Sequence, residues 1–188
     1  VNTCGIIIRK DSNSRNRDAQ KCEPSSYLRL HQIIKRIPIR NTDVIADYGC
    51  GKGRMVCVAA RLPVKKVYGI ELYPDVALIA RRNAQTVRNR KAEVEIIEGD
   101  VLNFDCKDVT IFFFYNPFGP KTLQDVLDRI HLSLINNFRD VMIILFCPIP
   151  KLTSVFDKCN WLSKRDDLRV GRRNHPVVLF YESIFSKN

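Results

Sequence analysis

No two of the chain's seven cysteines form a C-x-x-C pair. An odd set without that spacing (Cys4, Cys22, Cys50, Cys57, Cys106, Cys147, Cys159) argues against a zinc site or a disulfide framework and for a reducing, cytoplasmic compartment. No apolar run approaches the ~20 residues that a bilayer span requires. No hydrophobic signal region follows Val1, so a membrane partner is not expected. Histidine is scarce, with His31 and His131 in amphipathic helical patterns and His175 in a late turn. No general base therefore stands out, and no metal is expected. Acids are outnumbered, 20 Asp and Glu against 31 Lys and Arg, and the resulting charge of +11 permits an acidic partner, nucleic acid or protein. Basic residues cluster at Lys35/Arg36/Arg40, Lys65/Lys66, Arg81/Arg82, Arg88/Arg90/Lys91, Lys164/Arg165 and Arg172/Arg173. Several of these clusters read as solvated helix faces. Internal repeats and low-complexity tracts are also missing. The 188 residues, 45% hydrophobic, are enough for one compact domain with a sizeable core.

The most informative stretch is Asp43-Val-Ile-Ala-Asp47-Tyr-Gly49-Cys-Gly51-Lys-Gly53. An apolar run ends in the acid Asp47, glycines follow at alternate positions, and a helical pattern opens behind them at Arg54. That is a buried strand, a loop stripped of side chains and a helix start, which lets a ligand approach bare backbone at the edge of a parallel sheet. The spacing is not that of a phosphate binder. The dinucleotide fingerprint G-x-G-x-x-G would need glycine at Arg54, and Gly51-Lys52 is followed by Gly53 and not by Ser or Thr. An acid leading into the glycines suits a cationic ligand end, while loop amides suit a carboxylate. Cys50 within the loop reads as a small filler.

Strands and helices alternate along the chain. Residues 1–23 read as a flexible or loosely structured segment and 24–188 as the folded domain. Helical spacing of Tyr27, Leu30, Ile33, Ile34 and Ile37 predicts a helix over 24–37, packed on a core at 41–188. Strands are expected near 43–48, 66–71, 93–98, 109–115 and 140–147. Helices are expected near 53–62, from Pro74 through Ala84, over 120–135 and near 151–159. Segments 161–170 and 176–183, joined through Gly171-Arg-Arg-Asn-His175, read as a closing hairpin. Repeated βα units predict a mostly parallel sheet covered by helices on both faces.

Three further strands end in chemically useful residues: Val67-Tyr-Gly-Ile-Glu71, Val94-Glu-Ile-Ile-Glu-Gly-Asp100, and Ile111-Phe-Phe-Phe-Tyr-Asn116-Pro117-Phe118-Gly119. With the Asp47–Gly53 loop, these four stations resemble the class I, seven-stranded S-adenosylmethionine-dependent methyltransferase family over about residues 24–183. The GCGKGR loop and YNPFG segment are similar to those of a set of small predicted methyltransferases. The resemblance implies a Rossmann-like three-layer αβα sandwich whose seven-stranded sheet carries an antiparallel strand from the C-terminal hairpin. It implies S-adenosyl-L-methionine as cofactor. Asp47, Gly49, Gly51 and Gly53 would take its amino-acid end, Glu71 the ribose, and Asp100, with Val101 or Leu102, the adenine; Leu72 and Asn116 would also line the cofactor.

Asn116-Pro117-Phe118 is similar to the [DN]-P-P-[FYW] loop of methyltransferases that act on amino groups. There the Asn oxygen and a proline carbonyl accept from the target NH2 and the aromatic stacks on the planar group. The same resemblance implies that Asn116, Pro117 and Phe118 are the catalytic set. This chain has one proline where that motif has two, which shifts the aromatic and removes a carbonyl. Loop shaping by Asn116 and Pro117, with Phe118 covering the cofactor, is the competing reading. Tyr27 and Tyr115 are the tyrosines expected to border the pocket. Three classes of function stay open: methyl transfer, S-adenosylmethionine binding without turnover, and a basic nucleic-acid-binding module sharing the fold.

Overall fold

The computed structural model describes residues 26–169 and 178–184. Expectations for 1–25, including the opening of the first helix at Pro24, and for the turn at 171–175 with His175, Arg172 and Arg173, lie outside the described residues. The elements are α1 (Tyr27–Ile34), β1 (Val44–Tyr48), α2 (Arg54–Ala59), β2 (Lys66–Glu71), α3 (Pro74–Gln85), β3 (Glu93–Glu98), β4 (Ile111–Phe114), α4 (Pro120–Asn136), β5 (Met142–Phe146), α5 (Pro150–Phe156), β6 (Leu162–Leu168) and β7 (Val178–Ser183). A single turn of 3-10 helix covers Val101–Asn103.

The seven strands form one sheet in the order β3-β2-β1-β4-β5-β7-β6. β7 runs antiparallel to both β5 and β6, and the other pairs are parallel. This is the αβα architecture that the resemblance implied. Its central strands are continuous apolar runs because both faces are covered: every residue of β1, β4 and β5 is buried. The edge strands are protected instead. β3 alternates exposed glutamates with apolar residues, and β6 carries four exposed polar or charged residues and a register shift between Lys164 and Asp166.

Two apolar layers flank the sheet. Val44, Ala46, Phe112, Phe114, Ile143 and Leu145 pack beneath α4 and α5. Ile45, Val67, Ile111, Phe113 and Ile144 pack beneath α1, α2 and α3. Alternate residues of one strand thus serve opposite layers. Three helices begin with proline in the first turn, at Pro74, Pro120 and Pro150, where the missing N–H costs nothing. α2 is shorter than the 53–62 expected, because the chain turns at Ala60 to reach β2.

Candidate active site

The sheet order reverses direction beside β1, whose neighbours are β2 on one side and β4 on the other. Loops leaving β1 and β4 at their carboxyl ends therefore diverge and leave a crevice, the usual ligand position in open α/β sheets. The two sequence features of most interest, Gly49–Gly53 and Asn116–Phe118, are those loops.

The glycine loop folds back over β2. The amides of Gly49 and Cys50 both donate to the carbonyl of Ile70, at 2.9 Å each. Gly49, Gly51 and Gly53 all take left-handed backbone angles, φ 73, 56 and 76°. A Cβ on Gly49 would sit 2.5 Å from Cβ of Pro117, so the two loops touch through a missing side chain. Gly69, in the middle of β2, was not singled out by sequence; a Cβ there would meet Ile96, Val56 and the Cys50 sulfur at 2.8–2.9 Å. A glycine inside a strand was the available signal of that close approach. Asn83 was also missed. It is buried on the alanine-rich inner face of α3 and donates to the carbonyl of Lys52 at 3.0 Å, holding the loop from outside.

Asp47 and Glu71 lie on the same face of adjacent strands, with Gly69 opposite Asp47 in the register. Both are buried, at 4% and 7% exposure. Glu71 anchors the loop: one oxygen accepts from the Gly51 amide at 2.9 Å and the other from the Tyr73 amide at 3.1 Å. Burial nevertheless pushes its pKa up, partly offset by those amides. Asp47 has no such relief, since no hydrogen-bond donor among the described residues reaches its carboxylate. Burial first, and the charge of Glu71 second, push its pKa up to about 8. A buried carboxylate without a donor is a socket for a cation.

Expectation and structure part at the loop amides. Those of Gly49, Cys50, Gly51 and Gly53 are committed to Ile70, Glu71 and Cys50, and do not stand open for a ligand carboxylate. A three-glycine turn folded back over β2 spends most of its amides on that strand. Asp100 is half-buried and caps the 3-10 turn, accepting from the Leu102 amide at 2.9 Å through Oδ1 alone. Leu72, Val101 and Leu102 are half-buried, and the last two pack against the α4-side core.

The second loop holds an unusual asparagine. Asn116 has φ 43° and its Nδ2 donates to the Cys147 carbonyl at 2.6 Å. That bond fixes which end of the amide is which. Oδ1 faces the other way, buried and with no hydrogen-bond partner among the described residues. Cys147, just past β5, is itself left-handed at φ 51°, and no sequence signal marked it as Asn116's partner. Phe118 departs from its expected place. It is 6% exposed and packs edge-on against Phe114, centroids 6.0 Å apart, within the core beneath α4. In this single-proline loop the aromatic turns inward, toward Phe114. Tyr115 is half-buried and packs on Phe146 at 4.6 Å, and Tyr27 receives the Arg54 guanidinium over its ring at 4.7 Å.

Two of the three histidines, His31 and His131, lie within the described residues. His31 is exposed on α1, bonded to the Tyr27 carbonyl, and His131 stacks on Trp161 at 4.9 Å, away from the crevice. No group of three or more metal-ligating side chains occurs among the described residues. No described helix is long and apolar enough to cross a membrane. A separate cavity of about 300 Å3, lined by Arg40, Asp43, Thr110 and Glu182 among others, opens at the amino ends of β1, β4 and β5, the wrong end of the sheet for this site.

Asp47 makes a stability prediction of its own. A carboxyl whose folded pKa is raised from 3.8 to about 8 contributes stability fully below the lower value and loses it as pH rises through the upper. The melting temperature of the wild-type chain should therefore fall, relative to that of Asp47→Asn, between about pH 4 and about pH 8 and level off above it. Parallel melting curves for the two chains across that range would remove the argument that Asp47 is buried without a counter-charge.

Residues 45–136 match a family model described as a methyltransferase domain. A ribosomal protein L11 methyltransferase of Lachnospira eligens is 27% identical over 106 residues, covering 55% of this chain and 33% of that protein. A trans-aconitate 2-methyltransferase of Escherichia coli O157:H7 is 28% identical over 86 residues, 45% of this chain and 31% of its own. The chain thus spans about a third of the length of these curated relatives. Among solved structures, an RNA methyltransferase from Salinibacter ruber in complex with S-adenosyl-L-homocysteine superposes with a TM-score of 0.59 at 21% identity. That superposition covers 86% of this chain and 92% of that one, a likeness of fold.

Proposed function

We propose that this chain is a class I S-adenosylmethionine-dependent methyltransferase that transfers a methyl group from S-adenosyl-L-methionine to an amino nitrogen, with residues 24–188 as the catalytic domain. The observation that carries this reading is Asn116 Oδ1, a buried acceptor with no donor, aimed by the bond from Nδ2 to Cys147. A buried acceptor left empty costs about 1–3 kcal/mol. An incoming N–H removes that cost and is oriented in doing so.

The donor set fits the cofactor. Asp47, its pKa pushed up to about 8 by burial, would give up its proton when the ammonium and sulfonium end arrives beside it, and no phosphate site is needed there. The Glu71 carboxylate accepts from the Gly51 and Tyr73 amides with the Leu72 amide also beside it, and its roughly four acceptor sites leave room for a ribose hydroxyl. Leu72, Asp100 and Val101 stand at the next strand tips for the adenine, and Gly49, Gly51 and Gly53 allow the close approach. When bound, the cofactor supplies an electrophilic methyl carbon. Asn116 Oδ1 and the Pro117 carbonyl hold the acceptor N–H groups so that the nitrogen lone pair faces that carbon. The cofactor would supply the methyl group by displacement at its sulfonium, and the acceptor held by Asn116 and Pro117 would lose its surplus amine proton to water. Orientation supplies most of the rate, so no histidine is needed.

Transfer of tritiated methyl to fractionated cell extract, digested in turn with nuclease and protease, tests the reading and assigns the acceptor class. Label in neither fraction, with purified active-site-intact protein, would remove it. By calorimetry, Asp47→Ala and Glu71→Ala should each weaken S-adenosylmethionine binding by ~1–3 kcal/mol. Wild-type heats from both variants would place the cofactor elsewhere.

A further inference from the structure

Charge is unevenly spread along this chain. Residues 54–70 hold four Lys or Arg and residues 76–92 five, and neither stretch contains an acid. The fold brings the two stretches together. The amides of Lys91 and Ala92 donate to the Ala60 carbonyl at 2.8 and 3.1 Å, and the amide of Glu93 to the Lys65 carbonyl at 3.4 Å. The turn after α3 therefore lies against the end of α2, at the amino ends of β2 and β3.

Not every cation there is available. Lys66 is held by Glu93 and Glu95, and Arg81 by Glu98. Val94 and Ile96 pack under α2 and α3, so the alternating Glu93 and Glu95 face the other side of the sheet. Arg61, Lys65, Arg82, Arg88, Arg90 and Lys91 remain, all exposed and without an ion pair among the described residues. No exposed aromatic side chain stands among them, and the nearest large exposed apolar one is Leu78, one turn before Arg82. Stable protein interfaces centre on buried aromatic or apolar anchors, whereas a phosphate backbone asks only for charge.

We infer that these six side chains form a docking surface for the phosphate backbone of a nucleic acid. The surface stands one strand length from the crevice. Six residues of β2 rise about 20 Å, some six base-pair steps of duplex. A strand held there can reach the carboxyl edge of the sheet with an amino-bearing base. The inference rests on the proposed function only in making that docked strand the methyl acceptor.

Fluorescence anisotropy of the full chain, without cofactor, tests the surface apart from the chemistry. The probes are labelled single-stranded RNA, an RNA hairpin and duplex DNA, each over a salt series. Arg88→Ala/Arg90→Ala/Lys91→Ala should lower the slope of log affinity against log salt by about 3, one for each lost phosphate contact. Lys121→Ala/Lys151→Ala/Lys158→Ala removes the same charge from exposed positions on α4 and around α5 and should leave the slope near that of the wild type. If the first variant melts early, Arg61→Ala/Lys65→Ala/Arg82→Ala replaces it. Which probe binds tightest separates RNA from DNA. Equal losses in both triple variants, no binding to any probe, or equally effective competition by poly-glutamate would each overturn the inference.

Discussion

Gly49→Ala should cost about 2–5 kcal/mol of stability and most of the cofactor affinity, although it adds one methyl group. Two penalties coincide at this position. The backbone is left-handed at φ 73°, which an alanine adopts at a cost of about 1–2 kcal/mol. The added Cβ then lands 2.5 Å from Cβ of Pro117, and a proline in a tight turn has no flexible end with which to retreat. Either the Asp47–Gly53 loop lifts or the Asn116–Phe118 loop moves away, so cofactor binding and acceptor positioning should fail together. A double-mutant cycle separates the two penalties. Pro117→Gly deletes the obstructing ring and leaves the dihedral cost, so the pair should show a coupling energy of about 1–3 kcal/mol in chemical denaturation. Strict additivity would mean that the loops do not lean on each other, and the glycine would then be explained by its dihedral alone.

That contact also shows what a sequence can and cannot disclose. The glycines were legible because their spacing is local, and Asp47 and Glu71 because a strand tip follows from the end of an apolar run. Strand boundaries at 66–71 and 93–98, and the helix starts at Pro74 and Pro120, agree with the structure, since apolar runs and prolines mark them locally. Pairings between distant segments were not legible. Nothing near Gly49 announces Pro117, 68 positions on, and nothing near Asn116 announces Cys147. Phe118 was assigned by likeness to a two-proline loop; in the single-proline loop the same residue type belongs to the core. The loop amides were assigned by the absence of side chains, but bare backbone bonds to the neighbouring strand when the loop folds back over it, here to Ile70 and Glu71. In each case the local pattern identified the loop correctly and the tertiary partners decided what its atoms were left to do.

Asn116→Ala should lower the rate of methyl transfer about 10²–10³-fold, the range seen when one preorganised hydrogen-bonding group is removed from an active site. S-adenosylmethionine affinity should stay at the wild-type level, because Asp47 and Glu71 are untouched. The side chain is bound at one end and empty at the other, and the two ends make different predictions. Asn116→Asp keeps an oxygen for the acceptor but loses the donor to the Cys147 carbonyl, so that two acceptors face each other. Its rate should fall between those of Ala and Asn, with its melting temperature lowered more than that of the alanine variant. Single-turnover transfer with saturating cofactor reads the chemical step directly and avoids product release. A wild-type rate in the alanine variant would show that Oδ1 meets no substrate, and the left-handed backbone at residues 116 and 147 would then be only a way of turning two loops. A deep loss in Ala with partial recovery in Asp would instead assign the rate to an oxygen that the described residues leave without a donor.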